Sequence, residues 1–150
     1  MIRVSLLLLA LLAPMTAAAQ GTLATVPSRH SVADTLARLV KDIEGKGLKV
    51  AARIDHAAGA KAAGMELPPT MVVIFGNPKL GTPLIQAHPS IAIDLPMRLL
   101  VWQDKAGKVW IGYTPPSTLQ ARHGVTSEAN VAALRTMATA LDAIAKAAAN

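Results

Sequence analysis

The sequence has 150 residues, a net charge of +6 at neutral pH and no cysteine. Without cysteine the chain forms no disulfide, no thioether-linked haem and no metal site that needs a thiolate ligand. The basic residues are spread along the chain and only four aromatic side chains accompany them, so the stripe and stacking platform of a nucleic-acid-binding protein are absent from the sequence.

The start of the chain has the pattern of a secretory signal peptide. Arg3 supplies a short basic start, an apolar run follows over 6–12, and small residues occupy 17–19, where a signal peptidase cleaves. The apolar run is shorter than the roughly 20 residues that a membrane-spanning helix needs. We therefore expect a signal peptide over 1–19 with cleavage after Ala19. The mature protein is then a single domain over 20–150, without a transmembrane segment, that is periplasmic or secreted.

The predicted elements begin with an edge strand over 22–27, which ends at a proline. Ser31 is a candidate N-cap for a helix whose apolar residues recur at helical spacing and whose end lies at one of two nearby glycines. A strand over 48–54 and a short alanine-rich helix over 57–63 follow, and Gly64 ends that helix.

The middle of the chain combines an apolar strand with two possible helix starts. Residues 71–75 are apolar without alternation, which predicts a strand that is buried on both faces or central in the sheet. Asn77 precedes Pro78 as an N-cap precedes a proline in the first turn, and Thr82 repeats the pairing with its own proline. We expect only one of the two to begin the helix, which ends near Ala87.

The last part of the chain predicts a hairpin and two helices. Strands over 99–103 and 109–113 are separated by a turn that contains glycine. A short helix over 117–122 precedes the clearest amphipathic pattern, a terminal helix over 128–148 with Ser127 as its N-cap. This order of elements predicts an α+β fold, with an antiparallel or mixed sheet and helices packed mainly on one face.

Several short motifs together resemble one family. They are Arg53-Ile54-Asp55-His56-Ala57, Phe75-Gly76-Asn77-Pro78, Gly81-Thr82-Pro83-Leu84, Asp94-Leu95-Pro96 and Leu99-Leu100-Val101-Trp102. The combination, over about residues 26–124, is similar to the DUF302, or TT1751-like, family. The resemblance implies a small α+β domain that forms a homodimer, and it implies no particular catalytic residue.

Five residues are candidates for a ligand site: His56, Asn77, Lys79, Thr82 and Asp94. An imidazole at a strand end can act as acid, base or ligand near neutral pH, although His56 could equally cap the following helix. Backbone N–H groups at the helix start, with Asn77, Thr82 and Lys79, suit a carboxylate or phosphate. The alternative is that Asn77 and Thr82 only cap the helix and that Asp94 only fixes a loop.

The sequence thus predicts a non-enzymatic module that binds a small ligand, such as a small anion, or a protein partner. The alternative is a hydrolase or isomerase acting on a small anionic substrate, with His56 as acid or base and Asn77 as polarising group. We expect no cofactor and no metal site, because the histidines lack the spacing of metal ligands. No serine lies in a Gly-x-Ser-x-Gly nucleophile elbow either.

Overall fold

The computed structural model describes residues 23–150, so the predicted signal peptide lies outside the described residues. The elements in chain order are β1 (Ala24–Ser28), α1 (Val32–Gly45), β2 (Lys49–Asp55), α2 (His56–Ala62), β3 (Thr70–Gly76), α3 (Pro78–Ala87), a 3-10 helix (Pro89–Ile93), β4 (Met97–Gln103), β5 (Val109–Tyr113), α4 (Pro116–His123) and α5 (Glu128–Ala149). The predicted α+β class is confirmed. No helix of residues 23–150 has both the length and the apolar character to cross a membrane.

The described strands form one antiparallel sheet in the order β1-β5-β4-β3-β2. The predicted first strand is indeed an edge strand, and the apolar strand β3 lies between two others. Val73 and Phe75 of β3 are buried, whereas Val72 and Ile74 on the opposite face are only half-buried. Burial on both faces is therefore incomplete, because the helices of the core cover one face.

The main core lies between one sheet face and the helices α1 and α5. Its buried residues come from the sheet and from both helices: Val32, Leu36, Leu39, Ile43, Val73, Phe75, Met97, Leu99, Val101, Val109, Ile111, Tyr113, Leu141, Ile144, Ala145, Ala148 and Ala149. A smaller second cluster joins α3, the 3-10 helix, α4 and the first half of α5 through Leu84, Ile91, Leu119, Val125 and Leu134. The two clusters together hold the loops between α3 and β4 against α5.

The second sheet face, defined by Ile54, Val72, Leu100, Trp102 and Trp110, follows from the strand register. Val72 lies opposite both Ile54 and Leu100, and Trp102 lies opposite Trp110, so these side chains point to one side. The two tryptophan rings stack with centroids 6.4 Å apart. This face thus carries apolar side chains that are half-buried or exposed within one chain.

The helices α1 and α5 begin at the N-cap residues that the sequence predicts. Ser31 Oγ accepts a hydrogen bond from the Asp34 N–H at 3.1 Å, and Ser127 Oγ accepts one from the Asn130 N–H at 3.4 Å. Asp55 caps α2 through the Ala58 N–H at 2.8 Å, so this helix begins one residue earlier than predicted.

Between β3 and β4, one expectation is confirmed and one element is additional. Only Asn77 of the two candidates begins a helix, because α3 begins at Pro78 and continues through Pro83. The 3-10 helix Pro89–Ile93 was not predicted, since its apolar residues lack a helical repeat over so short a length. Burial of Ile91 in the second cluster gives this segment its structure.

Candidate functional site

A cavity of about 490 Å³ lies between one end of the sheet, α3 and α5. Small-molecule sites have volumes of roughly 300–1,000 Å³. The walls are mostly apolar and include Leu48, Val50, Phe75, Leu80, Ile85, Leu95, Met97, Met137, Ala140 and Leu141. The polar lining side chains are Lys49, Asn77, Thr82 and Thr136. The cavity therefore combines a hydrocarbon-like wall with a few hydrogen-bonding groups.

One wall of the cavity is formed where the chain leaves β3 and where it enters β4. β3 ends at Gly76 and the chain enters α3 at once, while the loop that precedes β4 contains the cis Leu95-Pro96 peptide. A Cβ at Gly76 would lie 3.3 Å from the Cβ of Pro96. Glycine therefore permits a close approach of these two segments, which form the wall beside α3.

The N–H groups at the start of α3 are already bonded within the protein. Asn77 Oδ1 accepts from the Lys79 N–H at 2.9 Å, and the Asn77 carbonyl oxygen accepts from the N–H groups of Leu80 at 2.9 Å and Gly81 at 3.1 Å. Pro78 has no N–H to offer. Asn77 is thus a helix cap that also lines the cavity, and the first-turn N–H groups are occupied rather than available to an anion.

The other two candidates on α3 differ in their relation to the cavity. Thr82 is exposed and contributes to the lining. Lys79 is exposed on the first turn and is not one of the lining residues. The charged group that does line the cavity is Lys49, at the start of β2, which the sequence-based reasoning did not single out.

His56 lies at the opposite end of the sheet from Asn77. Asp55 pairs with Met71 at the start of β3, whereas Lys49 pairs with Gly76 at its end. At about 3.3 Å per residue, the seven residues of β3 span roughly 20 Å, and this length separates His56 from Asn77. His56 is exposed at the first position of α2. The structure does not bring these two candidates together.

Asp94 forms the centre of a polar cluster outside the cavity wall. It accepts hydrogen bonds from Arg122 Nη1 at 2.8 and 3.1 Å, and its Oδ2 lies 2.7 Å from His123 Nε2. Partial burial by itself would raise the pKa of Asp94, but the hydrogen bonds from His123 and Arg122 and the charge of Arg122 hold that pKa below its ordinary value. Asp94 thus connects the end of the 3-10 helix to α4.

Sequence reasoning missed most of the cavity and both partners of Asp94. The lining residues come from β2, β3, α3, the 3-10 helix, the loop that follows it, β4 and α5, and no local pattern marks their meeting point. Arg122 and His123 have the positions of ordinary basic residues in the last turn of a helix. Among residues 23–150 no group of three or more histidines, cysteines and carboxylates is arranged to hold a metal ion.

A solved structure shares this fold. The uncharacterized conserved protein DUF302 from Bacillus stearothermophilus superposes with a TM-score of 0.75, over 85% of this chain and 98% of that chain, at 19% sequence identity. At this identity the likeness shows the fold alone.

Curated relatives match at higher identity. Proteins named "Fluoride-specific ion channel FluC 1" from Brucella suis biovar 1 and Brucella abortus biovar 1 are each 44% identical over 133 residues, or 89% of this chain. The chain spans about half the length of these relatives, 52% and 49% respectively. The model of the family described as a domain of unknown function, DUF302, matches residues 24–144. This match covers most of the chain, which therefore belongs to the DUF302 family.

Proposed function

We propose that this DUF302 domain binds a small, mainly apolar molecule in the cavity between the sheet, α3 and α5. The main support for this proposal is the mostly apolar wall of the cavity, which encloses a volume of about 490 Å³. Apolar surface that faces water is unfavourable by roughly 25 cal/mol per Å², so a ligand that covers this wall gains free energy from burial. In this role the cavity is a binding site and takes no part in catalysis.

The charge of the cavity lining favours a neutral or anionic end group on the ligand. Among the lining residues in the described part of the chain, Lys49 is the only charged one. Its ammonium group, the amide NH₂ of Asn77 and the hydroxyl of Thr82 are hydrogen-bond donors. None of the lining residues within 23–150 carries a carboxylate, so a cationic end group would have no partner among them. The ligand class that fits is a hydrocarbon body with a hydroxyl or carboxylate.

A fluoride ion does not suit this cavity, whatever its role in the longer relatives. A small anion loses strong hydration when it enters an apolar space, and it needs several donors to replace the lost water. The lining offers few donors, and the N–H groups of the first turn of α3 are already bonded. We therefore favour an organic ligand.

Calorimetric titration with decanoate, decanol and decyltrimethylammonium tests the proposal. We expect decanoate and decanol to bind and to raise the melting temperature, and the cationic amphiphile to bind at least ten-fold more weakly. Ala140→Phe introduces a ring into the cavity and should reduce binding of both ligands at least ten-fold. The matched control is Ala143→Phe on the exposed face of the same helix. Absence of binding, or equal effects of the two substitutions, would contradict the proposal.

A hydrolase or isomerase built on His56 and Asn77 is less consistent with the geometry. The two side chains lie at opposite ends of β3, and a reaction that needs both requires them within hydrogen-bond reach of one substrate.

The second sheet face supports a second proposed property, self-association. Its stacked tryptophans and half-buried Leu100 form an apolar surface, and we propose that a second copy of this chain covers it.

A further inference from the structure

A continuous chain of hydrogen bonds joins a serine, a histidine and an aspartate outside the cavity. Ser90 Oγ lies 2.9 Å from His123 Nδ1, and His123 Nε2 lies 2.7 Å from Asp94 Oδ2. This is the connectivity of a nucleophile, a general base and a group that orients the base. None of the three residues lines the cavity, so the cluster is separate from the proposed ligand site.

The carboxylate selects the tautomer of the imidazole. Arg122 Nη1 contacts both oxygens of Asp94, at 2.8 and 3.1 Å, and thereby favours the ionised carboxylate. An ionised carboxylate only accepts hydrogen bonds, so His123 Nε2 carries the proton. In the neutral ring, the lone pair is then on Nδ1 and faces the hydroxyl of Ser90. The two ring nitrogens exchange the roles that they have in the common serine hydrolases.

Packing holds the three residues in place while leaving the hydroxyl accessible. Ile91, Leu119 and Val125 are at most 2% exposed and fix the 3-10 helix against α4. The side chain of His123 is only 5% exposed, whereas Ser90 is exposed. A shielded base beside an accessible hydroxyl is the arrangement that preorganises a nucleophile.

We propose that Ser90 is a nucleophile activated by His123 as general base, with Asp94 as positioning residue, and that it accepts the acyl group of small activated esters. As Ser90 Oγ bonds to the carbonyl carbon, its proton passes to His123 Nδ1 and the π electrons move to the carbonyl oxygen. The carbonyl then reforms and the bond to the leaving group breaks. That group either takes the proton from Nδ1 or departs as a stable anion, in which case Nδ1 releases its proton to solvent water before the next step.

Water completes the reaction by the same steps. His123 Nδ1 takes a proton from water as the hydroxyl oxygen bonds to the acyl carbon, and the bond from that carbon to Ser90 Oγ breaks. The proton returns to the serine oxygen, and the products are the carboxylic acid and the free serine. Each cycle therefore consumes one ester and one water, and no further reactant is needed.

The test uses the full chain with 4-nitrophenyl acetate, following release of 4-nitrophenolate and locating the acetyl group by peptide mass spectrometry. General base catalysis contributes about 10²–10⁴-fold. Ser90→Ala and His123→Asn should therefore each lower the protein-dependent rate by roughly 100-fold or more. The acetyl group should be on Ser90 in the parent. The matched control is Ser117→Ala, at an exposed serine outside the cluster. This variant should retain the rate within twofold.

A separate measurement tests the positioning role of Asp94. An asparagine at this position donates from its amide to Nε2 and moves the ring proton to Nδ1, so the lone pair no longer faces Ser90. Nitrogen-15 NMR of the imidazole should show protonated Nε2 in the parent and protonated Nδ1 in Asp94→Asn, together with loss of acetylation.

Two outcomes would overturn the proposal: a Ser90→Ala protein that retains the parent rate, or an acetyl group found on lysines or His56 rather than on Ser90. Ser90 is exposed, so its substitution should preserve the fold, and circular dichroism checks this. The test thus remains decisive if His123→Asn fails to fold.

Discussion

In this protein, short polar side chains at the ends of helices and strands form hydrogen bonds with neighbouring backbone N–H groups. Ser31, Asp55 and Asn77 cap three helices, and Asp104 accepts from the N–H groups of the hairpin turn and from Trp110 Nε1. Each of these side chains satisfies N–H groups that would otherwise lack a partner. Capping by itself therefore explains why a polar residue occupies such a position, without a functional role.

Asp94 gives a prediction of how stability changes with pH. Its pKa in the folded protein is lowered from 3.8, so the ionised carboxylate stabilises the fold above that pH. This stabilisation is lost as the pH falls through the lower, folded-state value. Asp94→Asn should cost about 1–2 kcal/mol at neutral pH, and the difference from the parent should shrink below roughly pH 4.

Urea denaturation at pH 7 and pH 3 measures this difference. Glu66→Gln is the matched control, because it removes an exposed carboxylate from the loop before β3, and its effect should be small at both values. A cost of Asp94→Asn that is the same at the two pH values would show that ionisation of Asp94 does not stabilise the fold.

Among the secondary-structure elements, α5 contributes buried residues to both hydrophobic clusters. Leu134 belongs to the second cluster and Leu141 to the main core, and they are 2% and 1% exposed. A terminal helix that was mobile, or that bound another surface through its apolar stripe, would leave these leucines exposed. The amphipathic stripe in the sequence correctly indicates a helix packed inside the domain.

Truncation of either leucine should destabilise the protein strongly. Leu134→Ala and Leu141→Ala should each cost roughly 2–5 kcal/mol, because a buried leucine leaves a cavity that packing only partly closes. Arg135→Ala, on the exposed face of α5, should change stability by no more than about 0.5 kcal/mol. Urea denaturation midpoints measure the three values. Leucine variants that match Arg135→Ala would contradict the packing described here.

Leu141 also lines the cavity, whereas Leu134 does not. The two truncations should therefore differ in ligand binding even where they agree in stability. Leu141→Ala enlarges the proposed site and should change decanol affinity, whereas Leu134→Ala should leave it within twofold. Equal effects on affinity would indicate that these variants change binding through stability alone.

At the scale of the whole molecule, the proposed homodimer depends on the second sheet face. Leu100→Glu places a charge in the middle of that face, where burial against a second copy would be costly. We expect sedimentation velocity to show a dimer for the parent and a monomer for this variant. Arg38→Glu changes an exposed residue of α1, on the opposite side of the sheet, and should leave the dimer intact. A parent that is monomeric at tens of micromolar would contradict the proposal.

Export is a second prediction for the whole molecule and concerns residues outside the described part. Expressed in a Gram-negative host, the protein should be recovered from the periplasm with an N-terminus at or near Gln20. Leu8→Arg interrupts the apolar run that the secretion machinery recognises, and it should retain the uncleaved chain in the cytoplasm. Mass spectrometry of the two proteins decides, and an intact Met1 on the exported parent would contradict the prediction.

The class of the fold and its elements, apart from the 3-10 helix, are predictable from the amino-acid sequence, because they depend on interactions between near neighbours. A cap such as Ser31 or Ser127 and the residue that it bonds are three positions apart, and helical periodicity is visible within a few turns. The strands β3, β4 and β5 follow from apolar runs and a turn. The fold family is also evident from short motifs within the chain.

Which of these residues come into contact depends instead on how distant elements pack together. Strand register separates His56 from Asn77 by the length of β3. Packing of α4 against the 3-10 helix brings His123 within 2.7 Å of Asp94, 29 residues earlier in the chain. The cavity is likewise a space left unfilled where four stretches of the chain meet, 48–51, 75–85, 92–97 and 136–141. Contacts between distant segments depend on how whole elements pack, and no local pattern in the sequence encodes the gaps and polar clusters that result.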